Sequence, residues 1–131
     1  MKRTPINPWP WSLNFGYNQA ELIEQTNRQL ACSGQTSVDA EGKPVHLNDM
    51  RNQIAQSIDN LEAVLNTAKM NTENIIRLTV YTTNVAETMQ HFDVLGARFA
   101  EAKITPPMTL VGVTELAIPG LMFEIEATAA D

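Results

Sequence analysis

The C-terminal segment, residues 106–131, has the pattern that most restricts how this chain can fold. It contains two apolar runs, 108–116 and 121–129, and the connection between them includes Pro119-Gly120. Proline and glycine interrupt regular structure, so the segment predicts two strands joined by a short connection. The second run alternates strictly, which predicts that one face of its strand is buried and that the other carries polar side chains.

The polar face of this last strand carries two carboxylates, Glu124 and Glu126. Residues two apart on a strand lie roughly 7 Å from each other, so the two side chains share one patch of the sheet. If water covers that patch, they are ordinary solubilising charges. If another subunit covers it, burial raises the pKa of a carboxyl group and makes that group a candidate acid–base catalyst near neutral pH.

The rest of the chain alternates between strand and helix patterns. Apolar residues at spacings of three and four predict amphipathic helices, and β-branched or alternating runs predict strands. In chain order the predicted elements are strands 15–24 and 29–38, a helix over 50–68, a strand at 75–83, a helix over about 86–103, and strands 108–116 and 121–129. The first two strands are predicted to form a hairpin around the polar turn Gln25-Thr26-Asn27.

The element order β-β-α-β-α-β-β predicts an α+β fold. Both helices are apolar on one side only, so we expect a two-layer sandwich, one sheet with the two helices on one face. The opposite sheet face is then uncovered in a monomer and is predicted to carry Arg77, Thr79, Tyr81, Met122, Glu124 and Glu126. Such a mixed surface is typical of a subunit or ligand interface.

The first fourteen residues differ from the remainder. Residues 1–14 contain three prolines and both tryptophans, Trp9 and Trp11. Because proline fixes φ and donates no hydrogen bond, we predict an extended N-terminal arm followed by a single domain over 15–131. The tryptophans either pack on their own domain or form part of a subunit interface or pocket wall.

Two glycines and the single cysteine have structural interpretations. Gly34, within a predicted strand, indicates a bulge or the close approach of another backbone or a ligand. Gly96, within a predicted helix, indicates close packing. Cys32 is interpreted as a small buried apolar residue, because no partnered base accompanies it.

Charge and composition exclude several classes of function. The net charge of −6 argues against nucleic acid as a main partner, because phosphate binding needs a basic face. No apolar run approaches the roughly 20 residues of a membrane span, and no secretory signal is recognisable, so we expect a cytoplasmic protein. His46 and His91 have no second ligand at metal-binding spacing, and no cofactor motif is present, so neither metal nor cofactor is expected.

An ordered set of short motifs resembles a known family. The motifs are Tyr17-Asn18-Gln19, Ser33-Gly34-Gln35, Asp59-Asn60-Leu61, Leu78-Thr79-Val80-Tyr81, and Gly120 followed by Glu124-Ile125-Glu126-Ala127. Together they resemble the RidA/YjgF family of reactive-intermediate deaminases, also called L-PSP-type endoribonucleases. The resemblance runs from about residue 15 to residue 129.

The resemblance implies a chorismate-mutase-like fold and a homotrimer with three small-molecule clefts between subunits. Active members hydrolyse an enamine or imine to a keto acid and ammonia. In them an arginine holds the substrate carboxylate and a glutamate handles the water.

Carried onto this chain, the resemblance places the catalytic glutamate at Glu124. It places substrate-binding positions at Tyr17, Ser33, Gly34, Met108 and Thr109. The family's arginine position is occupied by Met108, which has no charge to hold a carboxylate. Arg77 and Arg98 are the two cations considered as replacements.

Three hypotheses follow for the function. The first is a hydrolase of an imine, an enamine or a related C–N compound, but not of 2-aminoacrylate-type substrates. The second is a module that binds a small metabolite in the same clefts without turnover. The third, RNA cleavage, rests on family naming alone, and the acidic charge of the chain speaks against it.

Overall fold

The computed structural model describes residues 1–131 and shows a mixed sheet with helices on one face. The elements are β1 (Lys2–Ile6), β2 (Ala20–Glu24), β3 (Gln29–Ala31), β4 (Gln35–Thr36), α1 (Met50–Thr67), β5 (Ile75–Thr82), α2 (Val85–Gln90), α3 (Asp93–Ala102), β6 (Met108–Gly112) and β7 (Phe123–Ala130), with short 3-10 helices at Pro10–Phe15 and Thr72–Asn74. The predicted α+β two-layer class is therefore confirmed.

The main sheet is built around β5 and β7, which are antiparallel neighbours. The strand order is β3-β7-β5-β6, and β4 pairs with β7 further along the edge that β3 uses. β6 runs parallel to β5. The two C-terminal strands therefore do not pair with each other, because β5 lies between them.

Helix α1 covers the sheet with the apolar stripe that the sequence predicts. Asp49 caps its first turn by accepting a hydrogen bond from the Asn52 backbone N–H at 3.1 Å. Its buried aliphatic side chains include Ile54, Ile58 and Leu61, each at most 2 % exposed. Burying a side chain of this size contributes about 1.5–3 kcal/mol, so this stripe is a main source of stability.

The strand β5 contains a register shift that changes which isoleucine is buried. The pairing with β7 shifts between Ile75 and Arg77, so Ile75 is buried at 1 % exposure and Ile76 is only half-buried. Ile76 therefore does not share the core face with Leu78, as strict alternation along the strand would require, because an irregularity in the ladder adds a residue to the period-two pattern.

The predicted helix over 86–103 is divided into α2 and α3 at His91 and Phe92. The two halves pack against different neighbours. The Thr88 hydroxyl of α2 lies 2.7 Å from the Thr82 hydroxyl at the end of β5, whereas Arg98 of α3 binds carboxylates of α1.

The N-terminal segment differs from its prediction. Lys2–Ile6 is extended and pairs with Ala20–Glu24 in a separate two-stranded sheet, whereas Pro10–Phe15 forms a 3-10 helix, so only the first part of residues 1–14 has the extended conformation that the prolines predict. The hairpin between the first two predicted strands is wrong. Arg3 explains the alternative pairing: its guanidinium bonds Glu21 of β2 as well as main-chain carbonyls beside β5.

The predicted strand 29–38 is interrupted. Residues 32–34 lie between β3 and β4, which both pair with the edge of β7, and within this connection the Cys32 N–H still donates to the Ala127 carbonyl at 3.0 Å. No helix combines the length and the apolarity that crossing a membrane would require.

Candidate functional site

Glu124 lies on β7 opposite β4, and its side chain reaches Gly34 in the interruption between β3 and β4. Its Cα pairs with Thr36 on one side and with Tyr81 on the other. A Cβ atom added to Gly34 would lie 1.8 Å from Oε1 of Glu124, so only glycine leaves room for this carboxylate. The sequence predicted a close approach at Gly34, and what approaches is the glutamate side chain.

The surroundings of Glu124 are unfavourable to its charge. Burial raises the pKa of the Glu124 carboxyl, and the negative charge of Glu126 raises it further. The Tyr81 hydroxyl donates a 2.7 Å hydrogen bond to Glu126 Oε1, and this bond raises the pKa of Tyr81 more than its partial burial and the neighbouring carboxylates do. Glu124 therefore takes up a proton more readily than an ordinary glutamate does.

A shallow cavity of about 300 Å³ lies on the uncovered sheet face. Tyr81, Glu124 and Glu126 line it, together with Glu115 and Leu116. The predicted exposure of this face is thus found in the single chain. Nowhere does the chain bring three or more His, Cys, Asp or Glu side chains close enough to hold a metal ion.

Tyr17 and Met108 belong to a different cavity. It lies on the helical side of the sheet, has a volume of about 610 Å³ and is mostly apolar. Its larger side chains are those of Trp11, Phe15, Tyr17, Phe92, Met108 and Leu110. The ring of Trp11 meets that of Tyr17 edge to face, with centroids 6.3 Å apart.

Met108 and Glu124 face opposite sides of the sheet. Met108 pairs with Leu78 and packs against the core, whereas Glu124 pairs with Tyr81 and lies on the uncovered face. Strand side chains alternate between the two faces, and β5 also separates β6 from β7. A single chain therefore does not bring the predicted site residues together.

Ser33 and Thr109 belong to the Glu124 side. Ser33 is exposed beside Gly34 in the connection between β3 and β4. Thr109, next to Met108, lies on the uncovered face, where its hydroxyl accepts a 2.6 Å hydrogen bond from Arg77. The predicted residues thus divide into two sets, a carboxylate half with Ser33 and Gly34, and an apolar half with Tyr17 and Met108.

Neither candidate arginine replaces the missing cation within one chain. Arg98 bonds Asp59 at 2.7 Å and Glu62 at 2.9 Å on the outside of the helical layer. Arg77 shares the face of Glu124 but precedes Tyr81, the strand partner of Glu124, by four residues, a separation of about 13 Å along β5. Neither guanidinium forms a hydrogen bond or an ion pair with Glu124 in the single chain, since Arg98 binds Asp59 and Glu62 and Arg77 donates to Thr109.

Several residues around the two cavities were not selected from the sequence. Trp11 forms a pocket wall, which was one of two alternatives for the tryptophans, and Phe92 lines the same cavity. The interpretation of Gly96 as a close-packing position is wrong. A Cβ atom there would meet nothing within 4 Å, and the residue borders the apolar cavity.

Comparison with known proteins agrees with the fold and with the motifs. Residues 13–131 match the family model described as Endoribonuclease L-PSP. A RutC family protein of Aquifex aeolicus is 30% identical over 128 residues, covering 97% of this chain and 95% of that protein.

Solved structures agree as well. YyfB of Yersinia pestis, a Rid family protein of unknown function, has a TM-score of 0.88 and 32% identity, with 100% of both chains covered. E. coli TdcF, solved with bound serine, has a TM-score of 0.71 and 26% identity, covering 88% of this chain and 87% of that one. This chain therefore belongs to the Rid/YjgF family, whose family model carries the name endoribonuclease L-PSP.

Proposed function

We propose that the chain forms a homotrimer in which the carboxylate half of one subunit meets the apolar half of the next. Two features support this arrangement. The predicted site residues divide between opposite faces of one sheet, and the face that carries Glu124 has no covering layer within the chain. A cleft completed by a neighbouring subunit would unite Glu124 and Gly34 with the neighbour's copy of Met108 and Tyr17.

The reaction we propose is hydrolysis of an imine, or of an enamine after it tautomerises to the imine, with Glu124 as the catalytic group. Glu124 accepts a proton from water as the water oxygen bonds to the imine carbon, and it passes that proton to the nitrogen. It then transfers the hydroxyl proton to the same nitrogen, so that the carbon–nitrogen bond breaks and a carbonyl compound and ammonia leave. The observation that carries this proposal is the carboxyl of Glu124, held against Gly34 with a raised pKa.

The substrate is proposed to lack a free carboxylate next to the reacting carbon. Met108 has no charge, and the one ionic pair at the apolar cavity is already satisfied because Arg51 binds Asp93 through two hydrogen bonds, at 3.0 and 2.8 Å. A buried carboxylate without a cation would be costly. We therefore do not propose 2-aminoacrylate-type substrates.

Two measurements test this function. Glu124→Gln should abolish turnover of a hydrolysable neutral imine while leaving its binding measurable, and an unchanged rate would remove Glu124 from the mechanism. Light scattering should give three times the mass of one chain. A monomeric mass would contradict the shared cleft.

The alternative is a trimer that binds a small metabolite without turnover. One observation favours it: within one chain, the larger and more apolar of the two cavities does not contain Glu124. Ligand binding that is identical in the wild type and in Glu124→Gln, with no product from a panel of neutral imines, would favour this alternative. RNA cleavage is not proposed, because the chain is acidic, with a net charge of −6.

A further inference from the structure

The apolar cavity has the size and the walls of a binding site for a small ring. Its volume of about 610 Å³ lies within the range of about 300–1,000 Å³ found for small-molecule sites. The chain has two Trp, two Tyr and four Phe residues, and Trp11, Phe15, Tyr17 and Phe92 all line this one cavity. Aromatic walls of this kind attract another aromatic ring through offset or edge-to-face contacts.

The charges near the cavity compensate each other. Asp93 is its only ionisable carboxylate, and both oxygens accept hydrogen bonds from Arg51. The same guanidinium holds the pKa of Asp93 below its usual range, so both groups stay ionised and bind each other. Neither an anionic nor a cationic group would find an unpaired opposite charge there.

Gly96 keeps one wall of the cavity open. It lies within α3, a Cβ atom there would meet nothing within 4 Å, and its φ is not left-handed. Neither packing against the chain nor backbone conformation therefore requires glycine, although glycine weakens a helix relative to alanine. The missing side chain instead leaves open space at the border of the cavity.

We propose that this cavity binds an uncharged aromatic ring, which makes neutral aromatic imines or enamines the substrate class. The assignment rests on the proposed function, because it treats the cavity as the second half of the Glu124 cleft. Asn14 and Tyr17 are the polar side chains available in the lining for one polar substituent of the ring. A second copy of the chain is the competing occupant, since Trp11 and Met89 are 51% and 52% exposed.

Three probes with the same ring separate charge from shape: indole, which is neutral, indole-3-acetate, which is anionic, and tryptamine, which is cationic. Binding to the intact protein is measured by calorimetry and by chemical-shift changes of the protein. We expect indole to bind about tenfold more tightly than both charged probes. Equal binding of the three probes, or no binding of indole, would overturn the proposal.

Variants locate the site. Gly96→Leu and Met89→Trp, two independent ways to fill the cavity, should each weaken indole binding about tenfold, whereas the neighbouring exposed control Ala97→Leu should not. Met108→Arg should reverse the preference toward indole-3-acetate, because a guanidinium then holds the carboxylate. Indole binding that is unaffected by both cavity-filling variants contradicts the assignment.

Two further readouts separate the outcomes. If the filling variants lower the oligomeric mass and leave indole binding unchanged, the cavity is a contact between subunits, and the proposal is wrong. Repeating the titration with Glu124→Gln separates this proposal from the hydrolytic function. If the wild type binds indole but does not turn over aromatic imines, the hydrolytic function is contradicted and the ring-binding proposal is not.

Discussion

A Cβ atom on Gly34 would lie 1.8 Å from Oε1 of Glu124 and 2.6 Å from its carboxyl carbon. The glycine and the carboxylate therefore form one structural unit, although ninety positions separate them in the chain. Gly34 lies in the connection between β3 and β4, and Glu124 lies on the central strand β7 that both of them join.

Gly34→Ala should displace the Glu124 carboxylate at little cost in stability. The obstructed atoms are the far end of a flexible side chain, and the backbone of Gly34 is not left-handed, so we expect the free energy of unfolding to stay within about 1 kcal/mol of the wild type. A misplacement of about 1 Å costs on the order of 100-fold in rate, so turnover should fall steeply.

A double-mutant cycle measures this coupling. If Gly34 acts through Glu124, adding Gly34→Ala to Glu124→Gln should change the rate no further. Additive losses in the double variant would show that Gly34 serves some other purpose, such as binding the substrate directly.

The second prediction concerns the pH dependence of stability. Burial raises the pKa of Glu124 in the folded chain, so its contribution to stability is present below the pKa of the unfolded state and is lost as the pH rises through the folded pKa. Glu124→Gln should therefore raise the melting temperature relative to the wild type at pH 7, with the difference shrinking near pH 4.

Glu101→Gln is the matched control, since it removes one negative charge from an exposed position on α3. If Glu101→Gln raises the melting temperature by the same amount and with the same pH dependence, the change in net charge explains the effect and burial of Glu124 does not. Thermal unfolding followed by circular dichroism at pH 7 and near pH 4 measures the melting temperatures of both variants.

Glu126→Gln should lower the pKa of Tyr81 and the pKa of Glu124 together. Glu126 accepts the hydrogen bond of the Tyr81 hydroxyl, and its charge also opposes ionisation of Glu124. Ultraviolet absorbance follows the tyrosine, and carbon-detected NMR follows the carboxyl. A shift of Tyr81 without a shift of Glu124 would mean that the two glutamates do not interact.

Gln53 should be essential for the stability of the turn that leads into β7. Its buried side chain donates hydrogen bonds to the main-chain oxygens of His46 and Gly120, and it accepts one from the Met122 N–H at 2.8 Å. Gln53→Ala leaves these groups without partners, so we expect a loss of about 2–4 kcal/mol in the free energy of unfolding.

The matched control for this change is Gln56→Ala, one turn further along α1. Gln56 is half-buried and donates a single bond, to Asn60 at 3.0 Å, so its loss should cost about 1 kcal/mol. Denaturant unfolding measures both. Equal losses of unfolding free energy in the two variants would show that the three hydrogen bonds of Gln53 add no more stability than the one bond of Gln56.

The regular elements with the clearest periodicity could be predicted from the sequence. The period-two pattern of β7 correctly indicated which of its residues are buried, including Phe123 and Ile125, and the spacings of three and four correctly located the apolar stripe of α1. Both patterns follow from the geometry of one element in contact with one layer. The break at His91 and Phe92 could not be predicted, because it depends on what α2 and α3 separately touch.

Strand pairing was the least predictable part of the fold. The segment 20–24 carries the same kind of pattern whether it pairs with β1 or with β3, and the contact of Arg3 with Glu21 is visible only once the chain is folded. Local alternation selects a face of a strand but does not select its partner.

The sequence by itself determined the family, the two-layer class and the two residues, Glu124 and Met108, on which the chemical argument depends. Only the tertiary structure decided that these residues lie on opposite faces of one sheet and in separate cavities. The physical reason is that side-chain direction along a strand is local, whereas the order of strands in a sheet depends on long-range pairing. That order put β5 between the carboxylate and the methionine.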